Sequence, residues 1–155
     1  MYIILMRHGE AEAESETVSN RSRRLTEKGS RNVGRTANVL RHFLKENQLR
    51  VIASPYRRTK ETAEIVCETC GGGLQTAEEL VQSSWGEVAA HCVTDGSPLL
   101  LVSHHPFLQS YLMTLCGAAI PFEPAAAAVI DYDIRWRQGK LVAYFAPDIR
   151  KLKKK

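Results

Sequence analysis

The chain opens on an apolar run, Tyr2-Ile3-Ile4-Leu5-Met6, that shows no alternation of polar and apolar residues and stops abruptly at Arg7-His8-Gly9-Glu10. A strand apolar on both faces must be covered on both, which places it at the centre of a mostly parallel sheet between layers of helix. Ligands of such sheets bind beyond the carboxyl ends of the strands. A guanidinium, an imidazole and a glycine in succession at that end suit an anion. Arg7 offers a planar fork of donors, His8 a neutral nitrogen, and Gly9 room for close backbone approach. Phosphate fits this set best. Three residues alone specify little, but two further apolar runs end similarly. Val51-Ile52-Ala53 leads into Ser54-Pro55-Tyr56-Arg57-Arg58-Thr59, and Leu99-Leu100-Leu101-Val102 into Ser103-His104-His105-Pro106. Three strand ends are expected to converge on one pocket.

Between these runs the pattern is helical. Ala11 to Arg24 is polar and aperiodic, a loop over the site. Thr26 is an N-cap candidate for a helix in which Val33, Ala37, Leu40 and Leu44 form the apolar stripe, ending near Asn47. Ser54 as N-cap and Pro55 as first helical residue predict a second helix, running to about Cys70 and stopped by Gly71-Gly72-Gly73. Leu74-Gln75-Thr76 reads as a short edge strand. From Glu78 to Val93 a loop and one helix are expected, with Trp85 and Val88 towards the core. Asp95-Gly96 turns the chain, and Pro106 to Cys116 is a helix with Phe107, Tyr111 and Leu115 in register. A strand over Ala125 to Ile134 then pairs with Leu141 to Phe145 across a turn at Arg137-Gln138-Gly139-Lys140. The alternation predicts a single α/β domain over 1–155, with no internal repeat or linker.

Composition narrows the function. The 155 residues, 44% apolar and 25% charged, are enough for one core. The net charge of +4 suggests nucleic acid only until Arg150, Lys151, Lys153, Lys154 and Lys155 are set aside, since the rest is slightly acidic. The basicity belongs to a tail at 150–155, expected to be disordered, so no nucleic-acid partner is expected. The longest stretch free of Asp, Glu, Lys and Arg, Gly96 to Phe122, is interrupted by histidines and prolines, so no membrane span is expected either. Four cysteines without a secretory signal suit a reducing cytoplasm. Cys67-Glu68-Thr69-Cys70 lacks a second cysteine pair and reads as packing. No cluster of metal ligands falls at the three strand ends, and neither a metal nor a cofactor is expected.

Taken together, the motifs resemble those of the histidine phosphatase superfamily, whose hallmark is Arg-His-Gly at the first strand. Leu5-Met6-Arg7-His8-Gly9-Glu10-Ala11, Arg24-Leu25-Thr26-Glu27-Lys28-Gly29, Ser54-Pro55-Tyr56-Arg57-Arg58, Val102-Ser103-His104-His105-Pro106 and Ala146-Pro147 are similar, in order and overall length, to SixA-type phosphohistidine phosphatases. The resemblance implies a three-layer α/β/α sandwich of the phosphoglycerate mutase-like kind. It makes His8 the nucleophile, ringed by Arg7, Arg58 and His104 as substrate-binding donors. Arg58 is chosen over Arg57 because the family's arginine lies four residues after the serine. Arg23 matches a further phosphate-side arginine, while Arg21 and Arg24 are left as solvated. The implied activity is metal-independent hydrolysis of phosphohistidine on a partner protein, such as a phosphotransfer signalling domain. The alternatives are a phosphatase for small phosphate esters and a non-catalytic module that binds phosphohistidine proteins. Many superfamily members protonate the leaving oxygen with a carboxylate. Here Glu78, Glu79 and Glu87 lie in no matching motif, which an imidazole leaving group tolerates better than an alkoxide.

Overall fold

The opening apolar run forms strand β1 (Tyr2–Arg7), and Ile3, Ile4, Leu5 and Met6 are fully buried. The computed structural model describes residues 1–44 and 48–147. Five more strands follow: β2 (Arg50–Ala53), β3 (Gly73–Thr76), β4 (Leu99–Ser103), β5 (Ala127–Asp133) and β6 (Gln138–Phe145). They form one sheet in the order β3-β2-β4-β1-β5-β6. The first four run parallel, while β5 is antiparallel to β1 and β6 antiparallel to β5.

The pleat sorts the core into two layers. Ile4, Met6, Val51, Ala53, Leu100 and Val102 point to one face, covered by α1 (Glu27–Phe43) and α2 (Arg57–Cys70). Ile3, Leu5, Ile52, Leu99 and Leu101 point to the other, covered by α3 (Glu79–Gln82), α4 (Trp85–Cys92) and α5 (Phe107–Cys116). Unalternating apolar strands therefore have a physical cause: both faces are interior. The result is a three-layer α/β/α sandwich. Among the described residues no helix is long and apolar enough to cross a membrane.

Thr26 caps α1 as expected, its hydroxyl accepting from the Gly29 amide at 3.0 Å, and Val33, Ala37, Leu40 and Leu44 are buried. The expected helix end near Asn47 lies outside the described residues, as does the basic tail. Helix α2 stops at Gly71, whose φ of 79° lets its amide reach back to the Cys67 carbonyl at 2.9 Å.

Four expectations are corrected. Tyr56, not Ser54, is the N-cap of α2, because the Ser54 hydroxyl is held by His104 and Thr59 and cannot reach the helix amides. Residues 78–93 form two helices rather than one. The break falls at Ser84, which caps α4 in a reciprocal box with Glu87, and Trp85 and Val88 are buried as predicted. In α5 the fully buried positions are Leu108 and Leu112 alongside Tyr111 and Leu115, with Phe107 only partly covered. The hairpin turn lies at residues 134–137, because Asp133 accepts from the amides of Arg135 (2.9 Å) and Trp136 (3.3 Å) and starts it three residues early.

Candidate active site at three strand ends

Because β2, β4 and β1 are consecutive in the sheet, with Arg7 opposite Ser103 and Ala53 opposite Val102, the residues that follow them emerge side by side. His8, Ser54 and His104 occupy those positions. Helix α2 starts three residues after Ser54, and its second residue, Arg58, turns inward. His8, Arg58 and His104 are all buried to at least nine-tenths. Burying a guanidinium is costly unless its donors are used.

They are used. Arg58 Nε donates to His8 Nε2 at 3.2 Å, Nη1 to the Asn20 carbonyl at 2.7 Å, and Nη2 contacts His104 Nδ1 at 3.4 Å. A guanidinium only donates, so His8 Nε2 and His104 Nδ1 must both present lone pairs. The tautomer of His8 follows independently, since its Nδ1 lies 2.7 Å from the Gly9 carbonyl and must donate to it. Burial, with Arg58 and the other nearby cations adding to it, pushes the His8 pKa down to about 3 against the Gly9 bond. Burial and the charges of Arg58 and Arg7 push His104 down to about 4. At neutral pH both rings are uncharged, with a nitrogen lone pair turned to Arg58.

Arg7 is placed beside them, its Nη1 donating to the Phe122 carbonyl at 2.7 Å while its buried Nε has no partner among the described residues. Arg23 braces the covering loop: Nε donates to the Glu12 carbonyl at 2.7 Å and Nη1 to Asn20 Oδ1 at 3.1 Å. Its charge is nonetheless among those that lower the Arg58 pKa, after burial. Arg57 points away, pairing with Glu61 at 2.9 Å. Arg21, expected to be merely solvated, binds Glu78 at 3.1 Å and lies over the Tyr56 ring at 4.9 Å, joining the loop to α3 across the site. Arg24 is exposed, as expected, beside Glu12.

Several participants escaped sequence reasoning. Tyr56 packs its ring under Arg58 at 4.8 Å and edge-on to His104 at 4.8 Å. Thr62 accepts from the Gly9 amide at 3.1 Å and donates to the Arg58 carbonyl at 2.7 Å, tying α2 to the end of β1. The spacing of Arg58 and Thr62, one helical turn apart on one face, was the available signal. Asn20 and Phe122 contribute backbone carbonyls, which no side-chain motif announces. Gly9 serves close approach towards α1. A Cβ there would lie 2.7 Å from Val33 and 2.8 Å from the Gly29 carbonyl.

The carboxylates after β3 each have a partner: Glu78 with Arg21, Glu79 with His91 at 3.6 Å, and Glu87 in the α4 cap. Among the described residues no group of three or more His, Cys, Asp or Glu is arranged to hold a metal ion. Cys67 and Cys70 are unpaired, and burial raises the pKa of both thiols; Cys70 donates to the Ala37 carbonyl at 3.3 Å.

At the ends of the parallel strands of a doubly covered sheet, two neutral imidazoles gather around a buried guanidinium. The model of the histidine phosphatase superfamily (branch 1) matches residues 3–95, and the chain belongs to that superfamily. No curated protein matches in sequence. Among solved structures, the protein histidine phosphatase SixA complexed with tungstate is 26% identical, with a TM-score of 0.84 over 99% of this chain and 100% of that one. A protein from Agrobacterium tumefaciens assigned as a phosphohistidine phosphatase SixA is 20% identical, with a TM-score of 0.81 over 95% and 98%. Mycobacterial glucosyl-3-phosphoglycerate phosphatase, in complex with VO3, shares 14% identity at a TM-score of 0.69 over 94% and 99%. The fold is thus the phosphoglycerate mutase-like one, and superfamily membership supports a phosphatase activity.

Proposed function

We propose that this chain hydrolyses phosphohistidine on a partner protein through a phosphoryl intermediate on His8, with no metal ion. The observation that carries the reading is the state of His8. Its Nδ1 proton is committed to the Gly9 carbonyl, and its Nε2 lone pair faces Arg58 in a site that keeps the ring neutral. A neutral imidazole needs no prior deprotonation to attack phosphorus, once the Arg58 Nε–H turns from that lone pair to the phosphoryl oxygens. Attack forms the Nε2–P bond as the bond to the departing imidazole breaks, that imidazole taking a proton from solvent. Water then attacks phosphorus, the Nε2–P bond breaks, and phosphate leaves. Arg7, Arg58 and His104 surround the transferring group, where charge on the equatorial oxygens needs donors, and Arg23 holds the loop above it. The two guanidinium groups supply the positive charge that an ion would otherwise bring. The likeness to SixA favours a protein phosphohistidine, such as a phosphotransfer domain, as substrate. Four unpaired cysteines suit a cytoplasmic setting.

The test is comparative turnover on a histidine-phosphorylated protein, an aryl phosphate, a sugar phosphate and phosphoserine, with rapid quench of labelled substrate. The phosphohistidine protein should be cleaved fastest, and an acid-labile, base-stable label should appear on the wild type and be missing from His8→Ala. Faster turnover of the sugar phosphate or phosphoserine would instead mark an ester phosphatase with a general acid, and Glu78, held at the mouth by Arg21, is the first residue to replace. Binding without turnover would mark a phosphohistidine-binding module.

A further inference from the structure

Ser54 is fully buried, and its hydroxyl lies 2.6 Å from His104 Nε2 and 2.7 Å from Thr59 Oγ1, also fully buried. Thr59 Oγ1 in turn lies 2.8 Å from the carbonyls of both Ser54 and Tyr56. The guanidinium at His104 Nδ1 orients this chain. Arg58 only donates, so His104 carries its proton on Nε2, and the Thr59 proton goes to one of the two carbonyls. Thr59 Oγ1 then accepts from Ser54, and Ser54 Oγ accepts from His104 Nε2–H. The opposite direction would place an Nδ1–H against Arg58 Nη2, two donors facing each other at 3.4 Å, with both carbonyls deprived of the Thr59 proton.

We propose that Ser54 and Thr59 are positioning residues: a buried hydroxyl relay that fixes the Nε2–H tautomer of His104 and turns its Nδ1 towards the phosphoryl site. The relay serves both states of the ring. Nε2–H donates to Ser54 whether or not Nδ1 has taken a proton, so His104 can change from acceptor to donor when an anionic phosphoryl group arrives without rotating. The consequence for turnover rests on the function proposed above; the tautomer does not.

The test uses the full chain and two readouts. Ring nitrogen NMR at pH 7 on the substrate-free protein should show His104 as the Nε2–H tautomer. In Ser54→Ala it should become a mixture while the His8 signals stay in place. Turnover of a phosphohistidine protein should fall in kcat by about tenfold to a hundredfold, the scale of a misplaced catalytic group, with KM little changed. Thr59→Val, which removes the hydroxyl at nearly constant volume, should act in the same direction, and Thr59→Ser should rescue; this pair carries the test if Ser54→Ala does not fold. An Nδ1–H tautomer in the wild type, an unchanged tautomer in Ser54→Ala and Thr59→Val, or unchanged kcat in variants whose tautomer has shifted would overturn the proposal. A wild type inactive on phosphohistidine but showing the expected tautomer shift would overturn the function proposed above and leave the tautomer assignment standing.

Discussion

The two buried histidines should make the protein's stability depend on pH in a way that can be assigned to them individually. In the unfolded chain each has a pKa of about 6.5, whereas in the folded protein His8 lies at about 3 and His104 at about 4. Both folded values are depressed, so below pH 6.5 the unfolded state binds the extra protons. Stability is complete above that pH and is lost as pH falls towards the folded values. The slope is about 1.4 kcal/mol per pH unit for each ring, which from pH 7 to pH 5 comes to about 2 kcal/mol per histidine. Because pH 5 still lies above both folded values, the unfolded-state pKa alone sets this figure. Two such losses, about 4 kcal/mol together, are a large fraction of the stability of a domain this size, roughly 5–15 kcal/mol. Urea denaturation at pH 7 and pH 5 measures the effect, and the carboxylates' own contribution cancels when variants are compared. His8→Asn and His104→Asn should each shrink the difference between the two pH values by about 2 kcal/mol. A pH dependence identical to that of the wild type in both variants would show that the rings are not held neutral in the folded state.

Arg58→Ala should lower turnover at least about a hundredfold, and equally on a phosphohistidine protein and an aryl phosphate, because the guanidinium serves the transferring group and not the leaving group. Stopped assays on both substrates check it, and a loss confined to one would refute the assignment. Activity should survive dialysis against a chelator; loss restored by magnesium or zinc would mean that charge stabilisation comes from an ion. Gly29→Ala would place a Cβ 2.1 Å from the Glu10 carbonyl, a backbone atom that cannot swing aside. It should cost about 3 kcal/mol or more. Gly34→Ala in the same helix meets nothing within 4 Å and should gain roughly 0.5–1 kcal/mol, so thermal melts of the pair separate contact from helix propensity.

What the sequence determined by itself was everything carried by local pattern. Unalternating apolar runs at β1, β2 and β4 announce strands buried on both faces, because a sheet covered on both sides makes consecutive residues interior over runs that short. The Thr26 cap and the glycine stop at Gly71 are equally local, each satisfying or releasing backbone groups within a few residues. The residues at the strand ends could likewise be read as converging, since parallel strands in one sheet present their carboxyl ends together.

Only the tertiary structure decided how those residues spend their hydrogen bonds. Ser54-Pro55 reads as a helix start from local chemistry, yet the serine hydroxyl is claimed by His104, fifty positions away, and the helix begins later at Arg57. Arg21 and Tyr56 look like surface residues until the loop folds over α2 and sets one guanidinium beside the other on the same ring. The Asn20 and Phe122 carbonyls that hold Arg58 and Arg7 belong to backbone, whose partners no side-chain motif encodes. Nor can the neutrality of His8 and His104 be read from their neighbours in sequence, because it arises from burial and from cations brought in by other elements. Local pattern fixes which groups reach the strand ends, while packing fixes which of their atoms remain free for chemistry.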